Sequence, residues 1–331
     1  MENINESSVP ARVDAEDSST DDLQGQELLQ GLEKASWHGV SLCKYKGVWC
    51  PLTVFVPTLR CEKYFKARDT DIILATLPKA GTTWLKALTF AVVNRSRYPL
   101  DKHPLLTSNP QSLIPSLEFN IYDQENENPD LDLIPDPRIF STHTHYDSLV
   151  STVVVESKCR VIHICRNPLD QVISLWHFMI NMIGIGRFVP LDEFLETYCQ
   201  GMHVYGPFWE HVLGYWNAHL KSPEKVLFLK YEDLKKDINF SMKKIAEFIG
   251  FPFSLEEEKA GLIEEIAKLC SFDKLKNLEV NKVGMHSPHI KNSYFFRKGE
   301  IGDSANYLTP HMVDRIEKVV EEKFEGSGLK F

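Results

Sequence analysis

The chain has 331 residues, of which 43% are hydrophobic, so it is long enough to bury a substantial core. Its formal net charge is −9, and the first thirty residues supply −7 of it, because they hold eight acidic residues and one arginine. The rest of the chain is nearly neutral. That balance excludes general nucleic-acid binding, which requires a concentrated basic surface.

Residues 1–30 are predicted to be a disordered acidic tail, followed by a single domain over residues 31–331. The tail has few large apolar residues that could offset the entropy lost on ordering. The chain shows no basic start followed by an apolar stretch and no run of eighteen apolar residues, so we expect a cytosolic protein without membrane contact. The seven cysteines are scattered along the chain, which is typical of free thiols. They lack the spacing of zinc ligands, so we expect no bound metal.

Strands that alternate with helices predict an α/β fold with a central parallel sheet covered on both faces. The apolar run 72–77 ends at Pro78 and leads through Gly81 into a helical pattern. The run 161–165 precedes Pro168, a residue that suits the first turn of a helix, and the run 226–230 precedes a third helix. Ligands bind such sheets at the carboxyl ends of the strands.

The C-terminal part of the chain is predicted to be mostly helical around one long loop. Ser254 and Glu257 have the spacing of a capping box, for a helix that reaches about Leu269. The segment 278–306 has no clear period and is expected to contain a long loop. Thr309 then precedes a last helix, which a glycine at position 326 ends.

The segment 78–84, which reads Pro-Lys-Ala-Gly-Thr-Thr-Trp, is predicted to be an anion-binding loop between a strand and a helix. A helix N-terminus presents unpaired N–H groups, Gly81 lets the backbone approach a ligand, and Thr82 and Thr83 add hydroxyl donors. The loop is not a Walker A motif, because its lysine precedes the glycine. No bound Mg²⁺ is therefore implied.

Three separated segments together resemble the soluble sulfotransferases that use 3′-phosphoadenylyl sulfate (PAPS). Residues 76–84 resemble that family's 5′-phosphosulfate loop, residues 166–174 resemble its 3′-phosphate site, and residues 296–303 resemble its C-terminal R-K-G-x-x-G-D segment. The segments 206–211 and 270–282 look like the plant branch. The resemblance runs from about residue 36 to the end, and it implies the sulfotransferase fold, with a P-loop-like anion-binding loop in one α/β domain.

This resemblance implies transfer of a sulfonate group from PAPS to a hydroxyl of a small acceptor, giving PAP and a sulfate ester. PAPS would be a co-substrate, and no metal would be required. Lys79 is implied to stabilise the leaving phosphate. From the strand that ends near residue 143, either His143 or His145 suits a general base, and the resemblance selects His143. His145, two residues on, is expected to line the acceptor pocket.

The resemblance also implies a nucleotide site. Arg166, Ser174 and Arg297 would hold the 3′-phosphate, which distinguishes PAPS from ATP. Trp84 and Phe272 would stack on the adenine, and Tyr231 would reach its edge. The full predicted nucleotide-binding set is Lys79, Ala80, Gly81, Thr82, Thr83, Trp84, Arg166, Ser174, Tyr231, Cys270, Ser271, Phe272, Arg297, Lys298 and Gly299.

The resemblance implies an aromatic or otherwise hydrophobic acceptor, and such a molecule requires a pocket with apolar walls and few polar anchors. The predicted lining residues are Phe119, His145, Trp176 and Phe178. Plant relatives act on flavonols, steroids, hydroxyjasmonates, phenolic acids and desulfo-glucosinolates, and the sequence does not separate these classes. Leu77, Ser141 and Ser304 depart from the tyrosine, lysine and tryptophan common in relatives, which affects substrate preference and local packing.

Two other functions fit the same residues less well. A P-loop kinase of small molecules is disfavoured because the Walker elements are missing. A catalytically silent PAP-binding module is disfavoured because both Lys79 and His143 are present. The animal dimerisation pattern falls on Ala305, Thr309, Pro310 and Asp314 and keeps only the threonine, so a monomer or at most a weak homodimer is expected.

Overall fold

The structure, a computed structural model, describes residues 15–123, 129–183, 189–288 and 290–331. The strands in these ranges are β1 Lys34–Trp37, β2 Val40–Tyr45, β3 Val48–Pro51, β4 Ile72–Thr76, β5 Ile139–Thr142, β6 Arg160–Cys165, β7 Val226–Lys230, β8 Met285–Ser287 and β9 Ile290–Lys291. The helices are α1 Ala15–Gln30, α2 Phe55–Tyr64, α3 Thr82–Asn94, α4 Pro110–Leu113, α5 Ser151–Glu156, α6 Pro168–Ile183, α7 Leu191–Cys199, α8 Phe208–Lys221, α9 Tyr231–Lys236, α10 Ile238–Phe248, α11 Leu255–Lys259, α12 Leu262–Leu269, α13 Phe272–Asn277, α14 Glu279–Val283 and α15 Pro310–Phe324.

The central sheet is parallel and has the strand order β5-β4-β6-β7, which confirms the predicted fold class. All five residues of β4 are buried, as expected for a strand covered on both faces. Ile73 packs into the core on one face, and its neighbours Ile72 and Leu74 pack into the core on the other. The loops after these strands open at one edge, because parallel strands end on the same side of the sheet.

A second sheet, antiparallel with the order β1-β2-β3, was not predicted from the sequence. Its two hairpin turns are His38-Gly39 and Lys46-Gly47, in which every residue has a positive φ. Strand β3 also joins the loop before α8: the Trp49 N–H donates to the Gly206 carbonyl (2.7 Å), and the Tyr205 N–H donates to the Trp49 carbonyl (2.9 Å). The N-terminal sheet is thereby fixed to a distant part of the chain.

Helix α1 occupies residues for which the sequence predicts a disordered tail. The helix packs against α2, and a Cβ atom at Gly25 would lie only 3.0 Å from Val56 Cγ2. Leu29 packs against the buried core. The structure thus gives residues 15–30 a helical conformation seated on α2, and the predicted disorder of the N-terminal tail stays a prediction. Residues 1–14 lie outside the described residues, and the domain boundary at residue 30 stays a prediction.

In the C-terminal part of the chain, the predicted helix starts are confirmed, but one predicted helix ends earlier than expected. The capping box is present, since Ser254 Oγ accepts from the Glu257 N–H (3.2 Å) and the Glu257 carboxylate accepts from the Ser254 N–H (2.8 Å). A single helix to Leu269 is wrong, because Gly261, with a φ of +75°, separates α11 from α12. Thr309 caps α15 as predicted. The segment expected to be a loop holds α14 and the β8–β9 hairpin.

All seven cysteines are free thiols, and every one except Cys199 is buried. A search of the described ranges finds no helix that is long and apolar enough to cross a membrane. The same ranges hold no group of three or more histidine, cysteine, aspartate or glutamate residues that could bind a metal ion.

Candidate active site

A cavity of about 470 Å³ lies at the carboxyl ends of β4, β5, β6 and β7. Beyond each of these strands a predicted residue lies on the cavity wall, namely Lys79, His143, Arg166 and Tyr231. The predicted site residues that the structure brings together here are Lys79, Gly81, Thr82, Thr83, Trp84, Phe119, His143, Arg166, Ser174, Phe178, Tyr231, Ser271, Phe272, Arg297, Lys298 and Gly299. The cavity therefore joins residues that are more than two hundred positions apart in the sequence.

The loop after β4 has the backbone of an anion cradle. Gly81 has a φ of +122°, and a Cβ atom at this position would lie 3.0 Å from the Tyr231 ring, so a larger residue would not fit without displacing that ring. Helix α3 begins at the next residue, and its first N–H groups have no partner within the helix. Ala80 is not among the residues of the cavity wall: its side chain is buried in the core, and its N–H donates to the Leu77 carbonyl (3.2 Å).

Lys79 projects from this loop between aromatic rings. Its Nζ lies 4.2 Å from the centroid of Phe178 and 3.4 Å from the carbonyl oxygen of Tyr294, to which it donates. Although part of the side chain faces the cavity, burial and then the positive charges of Arg166 and Arg297 lower the pKa of Lys79 to about 7. A bound anion would have the opposite effect and would favour the charged amine.

His143 is held in one tautomer by the end of β4. Its Nδ1 lies 2.6 Å from the carbonyl oxygen of Thr76, which can only accept a hydrogen bond, so Nδ1 carries the proton. In the neutral ring, Nε2 then has a free lone pair. The His143 backbone N–H donates to a Glu118 carboxylate oxygen (2.7 Å). Burial lowers the pKa of His143, and the charge of Glu118 opposes this shift. The ring is therefore suited to accept a proton.

His145 does not line the cavity, contrary to the prediction. Strand β5 ends at Thr142, so the alternation of side chains along a strand does not extend to residues 143 and 145. The His145 Nε2–H donates to the Tyr205 carbonyl (2.9 Å), and its ring lies 4.8 Å from the ring of His211. It is a buried histidine that supports the loop next to the cavity.

Two further predicted contacts are also absent from the cavity wall. On α6 the wall is formed by residues at helical spacing that share one face of the helix, namely Ser174, Leu175, Phe178, Met179 and Met182. Trp176 lies on a different face, and its Nε1–H donates to the Val189 carbonyl (2.9 Å). Cys270 is fully buried in the core, whereas the next residue, Ser271, reaches the wall.

One end of the cavity carries a cluster of cationic side chains around Asp303. This carboxylate accepts hydrogen bonds from Arg297 and from Lys298 Nζ (2.6 Å). Burial disfavours the carboxylate, but these hydrogen bonds outweigh it and lower the pKa of Asp303 to about 2. The Nε atoms of Arg166 and Arg297 are buried and have no hydrogen-bond partner among the described residues. Such unsatisfied donors fit the phosphate oxygens of a ligand.

Next to this cluster, aromatic rings form a slot. The rings of Trp84 and Tyr231 meet edge to face at 5.5 Å, and the Tyr231 hydroxyl donates to the Gly299 carbonyl (3.0 Å). A Cβ atom at Gly299 would lie 2.4 Å from the ring of Phe272, so only glycine lets the C-terminal segment approach this ring. The slot and the cationic cluster together fit an adenine nucleotide with a phosphate beside it.

Sequence reasoning missed several wall residues that come from other elements. Lys86 follows Thr82 by four positions on α3, so helical spacing could have indicated it. Gln111, in the short helix α4, and Tyr205, in the loop before α8, gave no such signal. Apolar wall residues that were also missed include Val40, Pro51, Met179, Met182, Val204, Ile290 and Phe295.

Comparisons with known proteins agree with this geometry. A sequence profile of the sulfotransferase domain matches residues 69–328. The chain is similar to cytosolic sulfotransferase 15 of Arabidopsis thaliana, with 44% identity over 92% of the chain and 86% of that protein. It is 45% identical to flavonol 3-sulfotransferase of Flaveria bidentis, over 87% of the chain and 93% of the relative. A crystal structure from Arabidopsis thaliana, provisionally assigned as a steroid sulphotransferase, has 37% identity and a TM-score of 0.74, covering 98% of the chain and 100% of its own.

Proposed function

The chain belongs to the sulfotransferase family and is a PAPS-dependent transferase, and we propose that it sulfonates a hydroxyl group on a small hydrophobic acceptor. The observation that carries the proposal is that His143 and Lys79 line one cavity. His143 has a free Nε2 lone pair, and the amine of Lys79 lies within the electrostatic influence of Arg166 and Arg297. A base and a cation are the two groups that this reaction requires.

In the proposed reaction, the acceptor oxygen forms a bond to the sulfur of PAPS while the bond from sulfur to the 5′-phosphate oxygen breaks. His143 Nε2 takes the proton of the acceptor hydroxyl. The electron pair of the broken bond stays on the phosphate of PAP, where Lys79 and the N-terminus of α3 stabilise the negative charge. No metal is required, because the charge is balanced by these groups.

The proposed nucleotide contacts account for the choice of PAPS over ATP. The guanidinium groups of Arg166 and Arg297 each retain a buried, unpartnered Nε within the described part of the chain, which suits the 3′-phosphate. The slot formed by Trp84, Tyr231 and Phe272 suits the adenine ring. ATP has no 3′-phosphate to satisfy the two arginines.

The proposed acceptor is aromatic or steroid-like, because its side of the cavity is apolar. Phe119, Phe178, Met182 and Val204 form much of this wall, and two of the relatives compared are named for a flavonol and a steroid. The names of the Arabidopsis relatives also support a cytosolic location. We retain the proposal of a monomer, since only Thr309 remains of the animal dimerisation pattern.

The proposal is tested by incubating the purified protein with PAPS and a panel of hydroxylated compounds. The panel should include flavonols, steroids, phenolic acids and, as hydrophilic controls, simple sugars. We expect PAP formation and a product heavier by one sulfonate group for aromatic or steroid members, measured by mass spectrometry. Product formed from sugars alone would contradict the proposed acceptor, and tighter binding of ATP·Mg²⁺ than of PAP in calorimetry would contradict the proposed donor.

A further inference from the structure

A second lysine, Lys86, is buried at the cavity wall, and the proposed reaction does not use it. Its side chain is only 3% exposed. The Nζ donates to Gln111 Oε1 (2.6 Å) and to the Ile114 carbonyl (2.9 Å). Burial, opposed by the charge of Glu118, lowers the pKa of Lys86 to about 7. Burial of a lysine costs free energy. Because Lys86 has no role in the proposed reaction, its burial needs another explanation.

The contact with Lys86 determines the orientation of the Gln111 amide. Both atoms that the lysine meets are oxygens that accept hydrogen bonds, so the lysine donates to each of them. The amide oxygen of Gln111 therefore faces Lys86, and its NH₂ group faces the other way. There, Gln111 Nε2 donates to Thr83 Oγ1 at a distance of 2.9 Å. The lysine thus sets the direction of a hydrogen bond that it does not itself make.

This direction matters for the hydroxyl group of Thr83. Because its oxygen accepts from Gln111, the hydroxyl proton is left to donate to another group, and Thr83 lines the cavity. The adjacent Thr82 differs, since its hydroxyl is already paired with Thr76 Oγ1 at 2.7 Å. Of the two threonines that begin α3, Thr83 is the one whose hydroxyl proton remains available to a ligand.

We propose that Lys86 and Gln111 are positioning residues that make Thr83 a hydrogen-bond donor to the 5′-phosphate end of the nucleotide. The inference rests on the proposed function, because it takes the loop 78–83 to bind that phosphate. Without Lys86, the Gln111 amide could rotate and present its oxygen to Thr83, and the threonine proton would then turn away from the ligand. The three side chains therefore act as one unit.

The test is a double-mutant cycle on the affinity for PAP, measured by calorimetry, which needs no identified acceptor. Thr83→Val should weaken PAP binding about tenfold, as expected for the loss of one hydrogen bond to a charged group. Gln111→Leu should weaken binding about fivefold in the wild-type background and less than twofold in the Thr83→Val background. The thermal midpoint of each variant shows whether it remains folded.

Gln111→Glu provides a second variant in case Gln111→Leu does not fold. The carboxylate keeps the shape of the side chain and the contact with Lys86, but it can only accept from Thr83, so the hydrogen bond reverses. The added negative charge would weaken PAP binding with or without Thr83. The further loss from the reversed hydrogen bond should be absent in Thr83→Val, which has no hydroxyl group. Lys86→Met should show the same dependence on Thr83. We therefore expect a larger loss for each variant when Thr83 is present.

The possible outcomes separate the inference from the proposed function. If Gln111→Leu, or in its place Gln111→Glu, weakens PAP binding by the same factor with and without Thr83, the positioning role is overturned while the sulfotransferase site stands. If the wild-type protein does not bind PAP, the proposed nucleotide site is wrong, and the positioning role fails with it. A loss that depends on Thr83 supports both.

Discussion

The Nδ1 atom of His143 lies 2.6 Å from the carbonyl oxygen of Thr76, the last residue of β4. The side-chain hydroxyl of Thr76 lies 2.7 Å from that of Thr82, at the start of α3. One residue thus contacts both the proposed base and the proposed phosphate loop. The distance between base and phosphate loop therefore depends on the end of a single strand, all of whose residues are buried.

His143→Asn should abolish most of the turnover and leave nucleotide binding intact. The asparagine amide can still donate to the Thr76 carbonyl, but it has no basic nitrogen to take the acceptor proton. We expect turnover to fall about 10²- to 10⁴-fold, the usual contribution of a general base. Turnover is measured as PAP release with an acceptor from the panel, and PAP affinity by calorimetry. A comparable loss of PAP affinity would show that the histidine has a structural role instead.

On the acidic side, the rate of turnover should begin to fall only at pH values below the usual titration range of histidine. His143 acts as a base only when neutral, and burial lowers its pKa, so the ring stays neutral at pH values where an ordinary histidine is protonated. The rate should fall only when the pH drops below about 6.5, the ordinary histidine value. Rates between pH 5 and 8 test this, and a limb centred above 6.5 would contradict it.

Binding of PAP at pH 8 should take up protons. In the free protein the pKa of Lys79 is about 7, so its amine is mostly neutral at this pH. The phosphate of PAP favours the charged amine and raises that pKa, so the complex gains a proton and affinity declines as the pH rises. Calorimetry in buffers of different ionisation enthalpy measures the uptake. If Lys79→Met took up as many protons on PAP binding as the wild type, Lys79 would not be the group that is protonated. The uptake would then have to come from another group, such as Lys86.

Arg166→Lys should weaken the binding of PAP far more than the binding of AMP, which lacks the 3′-phosphate. Lysine keeps the positive charge but loses the planar fork, including the unpartnered Nε that suits a phosphate oxygen. We expect the affinity for PAP to fall on the order of tenfold to a hundredfold. The affinity for AMP serves as the control. Equal losses for the two nucleotides would place the arginine elsewhere than at the 3′-phosphate.

Gly299→Ala should lower PAP affinity more than the matched change Gly302→Ala. The two glycines have similar backbone angles, with φ of +69° and +79°, so the cost of placing alanine in the left-handed region is alike. A Cβ atom at Gly299 would lie 2.4 Å from the Phe272 ring, whereas Gly302 has open space. Calorimetry on both variants isolates this contact, and equal affinities would show that Phe272 does not need its observed position.

The sequence was most informative where a short buried strand meets a residue that ends it. The run 72–77 and the proline after it predicted both β4 and the loop that carries Lys79. His143 was predicted from its motif, and the structure added the hydrogen bond that sets its tautomer. These features depend on residues that are close in the chain, so local pattern was sufficient to predict them.

The remaining features depend on contacts between distant segments. His145 was placed on the wall by strand alternation, but β5 ends three residues before it. Gln111 bonds to Thr83 across 28 positions, and no local pattern indicates such a pair. The N-terminal sheet consists of strands of four to six residues, too short for a clear alternation of apolar residues.

The hydrogen bonds between Trp49 and the loop at Tyr205 and Gly206 have a consequence for how the acceptor range of this family can change. Val204 and Tyr205 line the same cavity as Pro51, so two segments more than 150 positions apart shape one surface. A chimera that takes one segment from a relative keeps these backbone hydrogen bonds only if the new segment has the same backbone path, and each buried group left unpaired costs about 1–3 kcal/mol. Exchange of both segments together avoids that cost.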